Sequence, residues 1–73
     1  MVEMTYTIKS EQINNISISI TQDKFSSAYD VTAVEVHGNG LGYVLNENTY
    51  PTIEKARKRF SYLKSLAKKG ELQ

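Results

Sequence analysis

Few residues in this chain are of the types that carry catalysis. The single histidine, His37, stands in His37-Gly38-Asn39-Gly40, which has the composition of a tight turn. An exposed polar turn residue explains it more simply than a general base does. The acids are spread singly, with no pair that the sequence places beside another titratable group. Cysteine is absent, which removes thiol nucleophiles, disulfides and thiolate metal sites together. Serines are plentiful at positions 17 and 19, where simple alternation already assigns them to the solvent side of a strand. The glycines of Gly38-Asn39-Gly40-Leu41-Gly42 precede a strand pattern, whereas a phosphate-cradling loop must open onto a helix N-terminus. Gly42 is then a bulge or a point of close approach. The expectation is a non-catalytic protein with no metal, no cofactor and no small-molecule substrate.

Charge is the one property with functional content. Seven of the nine basic residues lie between positions 52 and 69, where Glu54 is the only acid, giving that segment a net charge of +6. Residues 1–51 carry two lysines and six acids, a net charge of −4. At about 100° per residue, Arg57, Lys64 and Lys68 form a stripe along one flank of an apolar line, and Lys55, Lys58 and Lys69 gather with Tyr62 on the other. Such a surface can follow a phosphate backbone, releasing a counterion for each phosphate neutralised, and Tyr62 can add stacking or a hydrogen bond. The candidate nucleic-acid-binding residues are therefore Arg57, Lys64, Lys68, Lys58, Lys69 and Tyr62.

A plainer explanation competes: lysine and arginine are good helix formers, and an exposed face must be soluble. The sequence pI near 8.0 also falls short of the value above ~9 typical of dedicated nucleic-acid domains. Against this stands the scarcity of the glutamates that usually share such faces as i, i+4 partners. A second class of function is a protein-interaction or inhibitor domain of the kind that phage and mobile elements encode. It would meet a protein partner or a second copy of itself through an open sheet face or edge. A membrane role is not expected, because the apolar line of the helix is needed by the sheet. No window approaches the roughly 20 apolar residues of a membrane span.

The elements that must position these residues follow from hydropathy. Positions 2–9 alternate, with Val2, Met4, Tyr6 and Ile8 on one side and Glu3, Thr5, Thr7 and Lys9 on the other, a half-buried strand. Ser10 to Asn15 reads as a turn. Ile16, Ile18 and Ile20 alternate with Ser17, Ser19 and Thr21 in a second strand rich in β-branched residues. After a polar stretch interrupted by Phe25, positions 28–37 form a third strand whose pattern slips near Ala33-Val34. Either both of its faces are partly buried or a bulge resets the register there. Asn39-Gly40 marks a hairpin turn, a fourth strand covers about 41–45, and Asn46-Glu47-Asn48 ends it. From Pro51 the period becomes helical: Thr52 is a suitable N-cap, Gly70 a left-handed C-terminal residue, and Ile53, Ala56, Phe60, Leu63 and Ala67 lie on one stripe. The expected architecture is α+β: a small antiparallel three- to four-stranded sheet at about 2–46, then one C-terminal helix at about 52–69 packed on one face, in a β-β-β-β-α order.

With 73 residues, 40% of them hydrophobic, the chain has one core's worth of apolar side chains and is expected to form a single domain over 1–73. The absence of cysteine and of a leader-like start points to a reducing, cytoplasmic setting. Tyr50-x-Thr52 with Ala56, Phe60, Leu63 and Lys69-Gly70 is similar to the strand-to-helix end of WGR-type domains, which are associated with nucleic-acid ends. The similarity is confined to positions 50–70 and the Trp-Gly-Arg signature is absent. An N-cap threonine ahead of such a stripe is generic helix chemistry, so no family is assigned.

Overall fold

Residues 5–23, 27–38 and 40–72 are described by the computed structural model. Strands β1 (Thr5–Ile13), β2 (Ile16–Asp23), β3 (Tyr29–Val36) and β4 (Gly42–Tyr50) form one antiparallel sheet in the order β1-β2-β3-β4. The helix α1 (Ile53–Lys69) packs on one face, so the chain is α+β with the expected element order. The expectations for Val2, Met4, Phe25 and Asn39 lie outside the described residues.

The core sits between α1 and the two central strands. Alternation on β2 buries Ile16, Ile18 and Ile20, and on β3 it buries Val31 and Ala33, which stand opposite Ile20 and Ile18. From the helix come Ala56, Phe60, Leu63 and Ala67, four of the five residues of the predicted stripe, while Ile53 and Leu66 pack at its margin. Side chains as large as Phe60 and Leu63, fully removed from water, contribute roughly 1.5–3 kcal/mol each. The helix ends as its caps dictate. Thr52 Oγ1 accepts from the Lys55 amide at 3.4 Å, and Gly70 takes a left-handed φ of 73°. The Gly70 and Glu71 amides donate to Ala67 and Leu66, a pairing of the Schellman type that turns the chain back and buries Leu72.

Two strand boundaries differ from the sequence expectation. Residues Ser10 to Ile13 are strand, paired with β2 down to Ile13 opposite Ile16, and only Asn14-Asn15 turns, with Asn14 at φ 56°. Asn46, Glu47 and Asn48 do not end β4, which runs on to Tyr50 opposite Tyr29. Both stretches look polar because they belong to the two edge strands, and polar side chains are tolerated there on either face. The expected alternation of β1 also breaks. The register against β2 shifts between Thr7 and Lys9, so Lys9 comes opposite Ile20, on the face that α1 covers. Pairing of β3 with β2 is unbroken, making β3 a central strand that uses both faces. The bulge opposite Ala33-Val34 lies in β4, at Leu45. Gly42 is a close approach, as a Cβ there would meet Val34 Cγ1 at 2.9 Å.

Candidate functional site

Packing on the sheet fixes the rotation of α1 and therefore which cations meet solvent. Because Ala56, Phe60, Leu63 and Ala67 are buried, the opposite side of the helix presents Arg57, Lys58, Ser61, Tyr62, Ser65, Lys68 and Lys69, all exposed. Among the described residues, the side chains of Arg57, Lys58, Lys68 and Lys69 enter no hydrogen bond or ion pair. Lys55 gives only its backbone amide, to the N-cap. Ser61, Lys64, Ser65, Lys68 and Lys69 line a shallow depression on this surface. Glu54, one turn ahead of Arg57 and Lys58, is the one acid on the helix.

Lys64 differs from the other five candidates. It is partly buried, and its Nζ donates to Glu11 Oε1 at 3.1 Å and lies 2.8 Å from Oε2. This hydrogen bond holds the Glu11 carboxyl below its ordinary value, against a desolvation effect in the other direction, and the charges of Lys64, Lys9 and Lys68 assist. On the same edge the Lys9 ammonium caps the Phe60 ring, 4.9 Å from its centroid. The β1 bulge brings Lys9 and Glu11 to the helix. One flank of the cationic surface is therefore tied to β1 through Lys64, while Arg57 and Lys68 beside it are not.

On the other flank the sequence analysis missed Arg59. Its Nη2 donates to Asn46 Oδ1 at 3.1 Å, and its guanidinium lies 5.2 Å from the Tyr62 ring centroid. The i, i+3 spacing of Arg59 and Tyr62 was the available signal. The contact anchors Tyr62 on one side and leaves it 53% exposed on the rest. His37, in the β3–β4 turn region, is engaged locally: Nε2 lies 2.8 Å from Glu35 Oε1, and its ring meets Tyr43 edge-on at 5.0 Å.

The open face of the sheet has the opposite character. Its register rows read Thr7, Thr21, Asp30, Thr49, then Ser10, Ser19, Thr32, Glu47, then Gln12, Ser17, Val34, Val44. No lysine or arginine occupies a described position on it. Thr49 donates to Asp30 at 2.7 Å. At one end Val44 is 61% and Val36 39% exposed beside Val34, an apolar corner on an otherwise polar surface.

Among the described residues no group of three or more His, Asp and Glu could hold a metal ion, and no helix is long and apolar enough to cross a membrane. No protein-family model, curated protein or solved structure matches this chain.

Proposed function

We propose that this protein is a small non-catalytic binding module that contacts nucleic acid through the outer surface of α1. The observation that supports the reading is the set of four exposed cations, Arg57, Lys58, Lys68 and Lys69, without an intramolecular partner among the described residues. They stand on the side of the molecule opposite a sheet face bearing Asp30 and Glu47. A cationic surface backed by an acidic one favours a polyanion on one side only and orients it on approach. Lys64 contributes less, because its charge is already shared with Glu11. The test is the anisotropy of a labelled oligonucleotide titrated with protein at several salt concentrations. With four phosphates neutralised, log K is expected to fall with log salt at a slope of about −3 to −4, and the fourfold glutamine variant is expected to lose the binding. No binding at low salt removes the reading.

The apolar corner Val34, Val36 and Val44 favours a second reading, self-association through the open sheet face. Both edge strands carry a bulge, at Ile8 and Leu45, which hinders pairing along an edge. The face is left as the surface for a second copy, and sedimentation at rising concentration is the measurement that decides it.

A further inference from the structure

Resting on the nucleic-acid reading, we infer that the ligand is a double-stranded nucleic acid, bridged across a wide groove with α1 resting on both backbones. The cations are not spread evenly along the helix. Arg57 and Lys58 form one pair and Lys68 and Lys69 another, with each residue of the second pair eleven positions beyond its counterpart in the first. Eleven residues are close to three full turns, so the pairs share an azimuth and stand about 16–17 Å apart along the axis. Within each pair the two side chains diverge by about 100°, about 50° to either side of a common line. That line carries Ser61 and Ser65. The result is four cations at the corners of a rectangle, with Ser61 and Ser65 between them and Lys64, paired with Glu11, at one margin.

A single strand is poorly matched to this arrangement. Its successive phosphates, about 6–7 Å apart when extended, would place one or two unneutralised charges over the serines. Two strands of a duplex match it better, since between their backbones lie only groove edges. The B-form major groove is about 12 Å wide between phosphate surfaces, which puts the phosphorus atoms about 17–18 Å apart, the spacing of the two pairs. The minor groove of an RNA duplex is similarly wide, so the spacing selects a duplex and not its sugar. Tyr62, exposed and braced by Arg59, lies between the two pairs along the axis but about 80° around the helix from the serine line, beside the groove and not above its floor. The serines are too short to read bases from this height, so binding should be tolerant of sequence.

The test compares three fluorescent ligands at low salt by anisotropy: a 16-base-pair DNA duplex, one of its strands, and the RNA duplex of the same sequence. Either duplex is expected to bind about tenfold more tightly than the single strand. The variants R57Q/K58Q and K68Q/K69Q should each weaken duplex binding about tenfold and reduce the salt slope by about 2, because each pair holds one backbone. Circular dichroism confirms that the variants keep their helix. Binding of the single strand that equals or exceeds that of both duplexes overturns the assignment to a duplex while leaving the nucleic-acid reading in place. If one pair proves dispensable, the bridging geometry is overturned. No binding to any of the three overturns both.

Discussion

Glu11 sits in the middle of an edge strand where alternation alone would turn it to water, yet it faces the helix and holds Lys64. The contact ties the outermost strand to α1, and it leaves a signature in pH. In the folded chain the hydrogen bond from Lys64 lowers the Glu11 pKa below its ordinary value. The bond therefore stabilises the fold above the unfolded carboxyl pKa near ~4.3, and its contribution is lost as pH falls through the folded value. In urea denaturation, Glu11→Gln is expected to be less stable than the parent at neutral pH, with the difference closing as pH approaches 3. A difference that persists in acid would mean that Glu11 acts through packing of its methylenes and not through its charge. The same residue shows where sequence reading fails. Which face Lys9 and Glu11 occupy depends on a one-residue register shift near Ile8, and nothing in Thr7-Ile8-Lys9 announces it.

Among the elements, α1 was the most legible because three independent signals agree on it: the apolar stripe, the N-cap at Thr52 and the glycine at 70. The strands were legible in type and less so in extent. Isoleucines 16, 18 and 20 mark β2 directly because it is central and its alternation is enforced by burial. The last third of β1 and the second half of β4 are edge segments whose residues satisfy their backbone on one side only and need not be apolar, so Ser10 and Asn46 to Asn48 resembled turns. Leu72 was missed because one apolar residue beyond a helix end has no period. It is buried only because the cap reverses the chain. The cap can be tested through its backbone. A Cβ at Gly70 would meet nothing within 4 Å, so Gly70→Ala changes conformational preference without a clash. The left-handed φ should then cost about 1 kcal/mol, read as a lower urea midpoint with an unchanged slope. A change in slope would instead indicate that Leu72 has left the core in the native state.

At the scale of the whole molecule, the sheet separates two surfaces of different chemistry in a slab whose Cα extents are 33 × 30 × 14 Å. Cations stand on the helix side, and the apolar corner Val34, Val36 and Val44 on the other, so the two readings of function do not compete for the same residues. A second copy can meet the open face across its full extent or at the valine corner alone. Asp30 and Glu47 oppose full overlap, which confines the favourable contact to the valine corner. Substituting Val44, already 61% exposed, by lysine should cost little stability while placing a charge at the centre of that contact. Sedimentation velocity is expected to show concentration-dependent self-association of the parent and a monomeric Val44→Lys. Added salt should not weaken the association, since apolar burial is not screened. Binding to DNA, measured with both proteins below the self-association range, should be the same for parent and variant. A parent that stays monomeric at the highest concentrations would remove the open face as a meeting surface between copies.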